Sequence, residues 1–294
     1  MRVLVLGGTG TIGAPVVREL VRSGHEAVAL ARSEASARRV AELGALPLAG
    51  DISSPERWLA SLPPLDAVIH AAAAFTPDDE MTERRLLQTL LPFLSAAQRN
   101  ARFVYTGGCW LFGPSRETVV ATEDTAFAPL PAFAYGVPHS RLVLETPGVH
   151  PIVIHPAMVY EPSGGVFARF RADASTRDAV RVVGSEYVRW PLVHSLDLAT
   201  LYRLALERSD PRETYIGAAI DAVPVGRIAR AFARRYGTRR LDPEVVSEDE
   251  IVAELGEWAR GYGRDQRHSG EKARRRLGWE PQHLDPESEI ASGG

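Results

Sequence analysis

The first thirteen residues constrain the fold more than any other stretch of the chain. Residues 3–6 form a short apolar run of valines and leucines without polar alternation, which is typical of a strand buried on both faces. Three glycines follow at Gly7, Gly10 and Gly13, and residues 14–22 then show the periodicity of an amphipathic helix. The predicted order is therefore strand, glycine-rich turn and helix.

A turn of this kind suits the phosphates of a dinucleotide. Gly7 permits the tight turn, Gly10 lets the backbone approach a pyrophosphate, and Gly13 lets the helix pack closely against the strand. The helix N-terminus adds unpaired N–H groups and the positive end of the helix dipole. A tight turn without a ligand is the alternative interpretation. The residues of this turn predicted to contact the cofactor are Gly7, Thr9, Gly10, Thr11, Ile12 and Gly13.

Composition narrows the class of protein. The 294 residues, 45% hydrophobic and 24% charged, suffice for one large α/β domain and a smaller lobe. A net charge of -3 gives no case for a nucleic-acid partner or an anionic membrane surface. Cys109 is the only cysteine, which fits a reducing compartment, and no stretch approaches the ~20 apolar residues of a membrane span. We therefore expect a cytoplasmic protein that binds neither nucleic acid nor a membrane. Because its eight histidines are scattered along the chain, we expect no metal site.

Apolar runs and helical stretches alternate through the first half of the chain. Short runs at 26–31, 45–49, 65–70 and 102–106 are predicted to be strands, and residues 81–99 a long helix. Repeated strand–helix units predict an α/β fold, with a doubly wound parallel sheet and helices on both of its faces. Ligands of such sheets bind beyond the carboxyl ends of the strands.

Arg32 follows the second predicted strand, where dinucleotide-binding folds have an acidic residue that bonds the adenosine ribose. Residues 31–33 contain no carboxylate, and an arginine suits a ribose 2′-phosphate. The sequence therefore favours NADP(H) as cofactor, with NAD(H) as the alternative. A solvated surface arginine is the other interpretation of Arg32, and Arg38 and Arg39 on the following helix are interpreted as solvated.

Two further segments fall at predicted strand ends and are expected to contact the cofactor. Asp51 and Ile52 end the third strand and are placed beside the adenine, although Asp51 could equally cap the next helix. Ala71, Ala72 and Ala73 follow the fourth strand. Their small side chains would let the backbone lie close to a cofactor, and an alanine-rich helix start is the competing interpretation.

The second half offers three local predictions. Residues 182–190 are predicted to form a small hairpin that turns at a Gly-Ser-Glu segment. Asp197 is predicted to cap a helix at 198–207. The loop 261–263, with Trp258, is a candidate wall of the substrate cleft.

The motifs resemble those of the extended branch of the short-chain dehydrogenase/reductase superfamily, the NAD-dependent epimerase/dehydratase-like proteins. The likeness covers nearly the whole chain. Besides the glycine turn, the segments that carry it are 50–52, 70–73, 105–113, 123–136, 155–160, 190–199 and 272–279. Within the sixth-strand motif, 155–160, the resemblance implies a cofactor contact from Pro156.

The resemblance also implies an architecture and an assembly. It implies a parallel Rossmann sheet with a small C-terminal substrate lobe. The implied division is a dinucleotide-binding domain at 1–160, to which 191–220 returns, and a smaller substrate-binding lobe at 161–190 and 221–294. A homodimer is implied through the helix at 81–99 and the helix that begins at Tyr135.

The catalytic set is where the chain departs from the family pattern. The family uses a Tyr-x-x-x-Lys pair with a Ser or Thr, and the lysine both binds the nicotinamide ribose and favours the tyrosinate. Tyr135 matches the tyrosine, but His139 stands at the lysine position and Gly108 at the serine position. Thr106, two residues before Gly108, is kept as a catalytic candidate. The resemblance therefore implies Tyr135, His139 and Thr106 as catalytic residues, with His139 also contacting the cofactor.

These residues predict an NADP(H)-dependent oxidoreductase that acts on a small-molecule carbonyl, alcohol or related group, with Tyr135 exchanging the proton. A nucleotide-sugar epimerase or dehydratase is the alternative within the family, although that chemistry depends on all three catalytic positions. The departures at Gly108 and His139 also leave open a catalytically altered cofactor-binding protein, either a sensor or regulator or a non-redox enzyme.

Overall fold

The computed structural model describes residues 1–97, 99–115, 119–162 and 164–293. The strands are β1 (Arg2–Leu6), β2 (Glu26–Ala31), β3 (Leu46–Ala49), β4 (Ala67–His70), β5 (Arg102–Thr106), β6 (His150–Pro156), β7 (Met158–Glu161), β8 (Gly164–Gly165), β9 (Arg181–Val183), β10 (Arg189–His194), β11 (Glu213–Gly217), β12 (Ile220–Pro224) and β13 (Glu244–Val246).

The α-helices are α1 (Gly13–Arg22), α2 (Glu34–Glu42), α3 (Glu56–Leu59), α4 (Asp79–Ala96), α5 (Gly136–Glu145), α6 (Ala168–Thr176), α7 (Ser195–Arg208), α8 (Val225–Tyr236), α9 (Glu248–Leu255), α10 (Glu271–Leu277) and α11 (Pro286–Ser292). Short 3-10 helices lie at Cys109–Leu111, Pro131–Phe133 and Glu257–Gly263. No helix of the described ranges combines the length and the apolar character that crossing a membrane requires.

The central sheet has seven parallel strands in the order β11–β6–β5–β4–β1–β2–β3. This sheet confirms the predicted fold class. The strands predicted at 26–31 and 102–106 have the observed bounds, and the other two differ by one or two residues. The strand order reverses between β1 and β4, so the carboxyl ends of these two strands flank a crevice where such sheets bind ligands.

Both faces of the sheet are covered by helices. In β1, Val3 and Val5 belong to the apolar layer shared with α1 and α7, whereas Leu4 and Leu6 belong to the layer shared with α3, α4 and α5. Successive side chains of a strand point to opposite faces, so a strand buried on both sides must be apolar throughout. This burial is why the run at 3–6 lacks polar alternation.

A second apolar core lies in the smaller lobe, around a four-stranded sheet of order β12–β10–β7–β8. Phe167 and Phe170 pack here against Phe232 of α8 and Trp190 of β10, with ring centroids 5.6 Å apart in the Phe167–Phe232 and Phe170–Trp190 pairs. β9 pairs with β13 in a separate parallel ladder.

The hairpin predicted at 182–190 is wrong. β9 pairs with β13, while β10 pairs with β7 and β12. All of β9 is buried, so its side chains lack the alternation of a hairpin strand, and its run of valines suits a parallel ladder. Gly184, at a φ of 73°, turns the chain out of β9, and its N–H donates to the carbonyl of Val246 in β13.

The chain returns to the central sheet through α7, which packs on α1, and β11, which pairs with β6. β10 stays in the second sheet, and the domain bounds remain a prediction. The capping role predicted for Asp197 is wrong, because α7 begins at Ser195 and is capped by His194, whose ring accepts the N–H of Leu196. The Asp197 carboxylate instead accepts the backbone N–H groups of Gln282 and His283, each at 2.9 Å, and so anchors the C-terminal segment.

Candidate active site

The glycine turn is held in place by backbone contacts that leave no room for side chains. Gly7 has a φ of 84°, and a Cβ added to it would lie 2.6 Å from the carbonyl oxygen of Ala71. A Cβ on Gly13 would lie 2.0 Å from the carbonyl oxygen of Gly7. Gly10 is different, because it is exposed and a Cβ there would come no closer than 3.4 Å to the protein. Glycine at position 10 therefore leaves space for a ligand rather than for the fold.

The N-terminus of α1 suits an anion. Within the described residues no side chain caps this helix, and its first turn carries no acidic residue. Ser33 and Ser247, by contrast, close capping boxes on α2 and α9. Uncapped N–H groups and the helix dipole attract a phosphate. Thr9 and Thr11 flank exposed Gly10 at this end of α1, as a pyrophosphate site requires.

Two arginines reach the outer part of this crevice. Arg32 is exposed directly after β2. The guanidinium group of Arg39 donates to the carbonyl oxygen of Thr9 at 3.2 Å, so the prediction that Arg39 is merely solvated is wrong. Among the described residues, Arg38 pairs with Glu34 of its own helix at 3.8 Å. Helix α2 therefore turns one arginine toward the turn and the other to solvent.

Asp51 follows β3, and its side chain forms a local turn with Ser53. Its Oδ1 accepts the N–H of Ser53 at 2.8 Å, and helix α3 has no side-chain cap, so the alternative role of Asp51 as a helix cap is wrong. Hydrogen bonds from Ser53, helped by attraction to Arg32, hold the pKa of Asp51 below its ordinary value. Ile52 is half-buried against the apolar layer of α3 and α4.

The loop after β4 runs against the glycine turn. The N–H of Ala71 donates to the carbonyl of Leu6 at 2.9 Å, which extends the β1–β4 ladder to the turn. The N–H of Ala72 donates to Nδ1 of His70 at 3.4 Å, and Ala73 is exposed. At the other side, buried Pro156 ends β6 beside β11. The residues predicted to bind the cofactor thus all lie at the carboxyl edge of the central sheet.

Tyr135 immediately precedes α5, and its ring centroid lies 5.6 Å from that of His139. Burial and the negative charges of Asp79, Glu83 and Glu80 on α4 raise the pKa of Tyr135 above its ordinary value. The phenol is therefore protonated at neutral pH and able to donate a proton.

His139 provides no counter-charge at neutral pH. Its side chain is buried, and burial lowers its pKa below the ordinary value. Its Nδ1 is buried without a hydrogen-bond partner among the described residues. A buried polar atom of this kind is costly unless a ligand or water satisfies it. A ribose hydroxyl would satisfy it, so His139 fits the cofactor contact expected at this position.

A buried hydrogen-bonded pair that sequence reasoning missed lies near these residues. Glu83 of α4 accepts a hydrogen bond from Nε2 of His70 at 2.9 Å. Burial acts to raise the pKa of Glu83, but His70 and the hydroxyl of Tyr105 outweigh it, so the pKa lies below its ordinary value. Glu83 is consequently a carboxylate, and its charge is one of those that act on Tyr135.

The catalytic role predicted for Thr106 is not supported. Its hydroxyl bonds the hydroxyl of Tyr202 at 2.6 Å, and Tyr202 is a buried residue of α7. Side chains alternate along β5, so Tyr105 faces the α4 layer and Thr106 faces the α7 layer. No hydrogen bond among the described residues joins Thr106 to Tyr135, and the catalytic role of Thr106 stays a prediction.

Gly107 and Gly108 stand where the family has its serine segment, and their surroundings differ. A Cβ on Gly107 would lie 2.2 Å from Nδ1 of His155, whereas a Cβ on Gly108 would meet nothing within 4 Å. His155 is completely buried, and burial lowers its pKa to about 3, so its ring is neutral. Its Nδ1 accepts the N–H of Gly108 at 3.3 Å. Gly107 therefore accommodates His155, while Gly108 leaves open the space that a serine would fill.

No group of three His, Cys, Asp or Glu side chains among the described residues could hold a metal ion. The site contains instead a dinucleotide-type turn, a protonated tyrosine and a neutral histidine along one edge of a parallel sheet.

Comparison with known proteins agrees with a dinucleotide-binding site of this kind. A family model described as the NAD dependent epimerase/dehydratase family matches residues 3–217. An uncharacterised protein of Schizosaccharomyces pombe is 26% identical over 300 residues, which cover 99% of each chain. A 4-hydroxy-2-methyl-3-oxo-4-farnesyl-3,4-dihydroquinoline-1-oxide ketoreductase of Stigmatella aurantiaca is 28% identical over 236 residues, 76% of this chain and 70% of the relative.

Among solved structures, dTDP-glucose 4,6-dehydratase from Bacillus anthracis in complex with NAD superposes with a TM-score of 0.84 at 17% identity. The match covers 100% of this chain and 95% of that one, and supports the fold. The chain belongs to the NAD dependent epimerase/dehydratase family, and the resemblance read from its motifs is confirmed.

The two glycines after β5 give a matched test of this geometry. Gly107→Ala would drive its methyl group into His155, which is packed between Phe112 and Phe127, and overpacking of this kind costs about 1–3 kcal/mol. Gly108→Ala should change the free energy of unfolding by less than about 0.5 kcal/mol. Urea denaturation of both variants measures the difference, and equal losses would contradict the assigned positions.

Proposed function

We propose that the protein is an NADP(H)-dependent oxidoreductase that reduces a carbonyl group of a small molecule, with Tyr135 as the proton donor. The observation that carries this proposal is the position of Tyr135, which immediately precedes α5 with its ring centroid 5.6 Å from that of His139, while burial and the carboxylates of α4 keep its phenol protonated. A protonated phenol can deliver a proton to a developing alkoxide but is a poor base at neutral pH.

The residues present fit a nicotinamide dinucleotide. The space at Gly10 and the uncapped end of α1 would hold the pyrophosphate, and Nδ1 of His139 would bond the nicotinamide ribose. Arg32 and Arg39 favour a 2′-phosphate on the adenosine ribose, because a guanidinium group suits phosphate and no carboxylate occupies 31–33. When bound, the reduced nicotinamide supplies the hydride.

The chain's own residues would manage the proton and the position of the substrate. Tyr135 would hold the carbonyl oxygen by a hydrogen bond and release its phenolic proton to that oxygen. His139, neutral and buried, would orient the ribose rather than lower the pKa of Tyr135. Burial and the carboxylates of Asp79, Glu83 and Glu80 keep the resting phenol protonated, and the tyrosinate left by each proton transfer would take up a proton from solvent.

The alternatives are weaker for reasons seen in the site. A nucleotide-sugar epimerase or dehydratase begins by oxidising its substrate, which needs a tyrosinate that this setting disfavours. A cofactor-binding sensor, regulator or non-redox enzyme is favoured by the substitutions at Gly108 and His139, but retention of Tyr135 supports turnover. The ketoreductase from Stigmatella aurantiaca supports the carbonyl class. By the family resemblance we also propose a homodimer through α4 and α5 and a cytoplasmic location.

Cofactor choice is tested by isothermal titration with NADPH and NADH. Arg32→Ala should weaken NADPH binding about ten-fold through loss of a charged contact and leave NADH binding unchanged. Arg38→Ala is the matched control, because Arg38 points to solvent beside Glu34. Equal losses for both cofactors, or no loss, would exclude the role of Arg32.

The proton-donor role is tested by NADPH oxidation with a panel of ketones. Tyr135→Phe should abolish reduction, while Tyr187→Phe, an exposed tyrosine of the lobe, should not. Because the pKa of Tyr135 is raised, the wild-type rate should stay constant from about pH 7 to about pH 9. His139→Lys adds a cation near Tyr135 and should make the rate decline within that range. A wild-type rate that already falls with a midpoint near neutrality would refute the donor assignment.

A further inference from the structure

Five aromatic side chains form a continuous cluster, here called the aromatic wall. Neighbouring rings within it have centroids 5.3 to 6.2 Å apart, which is the range of favourable aromatic contacts. Its members are Phe75, Trp110, Phe133, Trp258 and Tyr262.

The wall joins the central sheet to the lobe beside the catalytic tyrosine. Phe75 follows β4, Trp110 follows β5, and Phe133 lies two residues before Tyr135. Trp258 and Tyr262 come from the 3-10 helix Glu257–Gly263 of the lobe. Trp258, a candidate cleft wall from the sequence, contacts Phe75 and Trp110, and these contacts place it against the carboxyl edge of the sheet.

Phe75 has an unusual backbone conformation for a bulky residue. Its φ is 57°, in the left-handed region that bulky residues rarely adopt, and its side chain is half exposed. Asp79 fixes this loop, because its carboxylate accepts the N–H groups of Ala74 and Phe75 at 3.2 and 2.8 Å. Backbone strain of this kind is found where a ligand is bound. Phe75 also contacts Phe133, with ring centroids 5.9 Å apart, and Phe133 lies two residues before Tyr135.

The arginines beside the wall are either largely buried or already engaged. Arg169, whose Cζ lies 5.1 Å from the ring centroid of Tyr262, is largely buried and donates to the carbonyl oxygen of Arg181 at 3.2 Å. Its Nε and one terminal nitrogen have no hydrogen-bond partner among the described residues. Arg260 donates to Glu257 and Asp249 at 2.8 and 3.1 Å. Arg264 donates through one nitrogen to the carbonyl oxygens of Trp110, Phe112 and Ala128. A nucleoside diphosphate would need cations at this place, and these two guanidinium groups are committed to the protein.

We propose that the substrate is an uncharged ketone with a large apolar body, which lies on the aromatic wall while its carbonyl oxygen faces Tyr135. The inference rests on the proposed function and narrows its substrate class. Apolar contact with aromatic faces supplies the binding free energy, and the hydrogen bond to Tyr135 supplies the orientation.

Isothermal titration of the protein loaded with NADP+ with unbranched 2-alkanones, from 2-butanone to 2-octanone, tests the inference. Each added methylene group should tighten binding about three- to four-fold as more apolar area is buried. UDP-glucose should not bind at the same concentrations. Tighter binding of UDP-glucose, or affinities independent of chain length, would overturn the inference.

Two variants locate the binding surface. Phe75→Ala, at an exposed ring outside the apolar cores, should weaken 2-octanone binding about ten-fold and reduce the dependence on chain length. Trp258→Ala should do the same. Tyr187→Ala, an exposed aromatic of the lobe outside the wall, should bind as the wild type does. Unchanged affinity in both wall variants would refute the location.

These results remain separable from the proposed function. Because NADP+ carries no hydride, the heats report ketone binding without turnover, and the same titration without cofactor reports the wall alone. NADPH binding and oxidation therefore test the oxidoreductase, whereas the order of ketone and UDP-glucose affinities tests the substrate class.

Discussion

The contact between the glycine turn and the loop after β4 sets the geometry of the whole site. Gly7 lies so close to Ala71 that any side chain on Gly7 would clash with the Ala71 carbonyl oxygen. The turn fixes the start of α1 and thus the phosphate end of the crevice. The loop, through its neighbours Phe75 and Asp79, leads to α4 and the tyrosine. The cofactor end and the catalytic end are therefore built on two adjacent strands, β1 and β4.

Electrostatics then distinguishes this chain from the family pattern. The family lysine would lower the pKa of the tyrosine, whereas here a neutral His139 occupies that position and α4 presents carboxylates. Glu83 keeps its negative charge although buried, because His70 and Tyr105 hydrogen-bond it. The same fold consequently holds its tyrosine as an acid. Gly108 also lacks the hydroxyl group that the family serine would provide, and the surrounding residues do not fill the space that this serine would occupy.

The parts of this structure that depend on short-range patterns could be predicted from the sequence. The strands at 26–31 and 102–106, the parallel sheet and the turn follow from apolar runs and glycine spacing. Alternation along β5 also indicates that Tyr105 and Thr106 face opposite sides of the sheet, and Thr106 bonds Tyr202 of α7. Contacts between distant segments could not be predicted, because nothing local couples His70 to Glu83 or Arg39 to Thr9. The hairpin prediction failed for the same reason, since β9 finds its partner in β13.

The protonation state of Tyr135 is the central claim, and it can be measured directly. Carbon NMR of protein labelled at tyrosine Cζ, with the Tyr135 signal assigned from Tyr135→Phe, follows that phenol through a pH titration. The raised pKa predicts that the Tyr135 signal stays unchanged up to about pH 10, the ordinary tyrosine value, with or without NADPH bound. A titration with its midpoint between about pH 7 and about pH 8 would show a stabilised tyrosinate and contradict the assignment of Tyr135 as a proton donor.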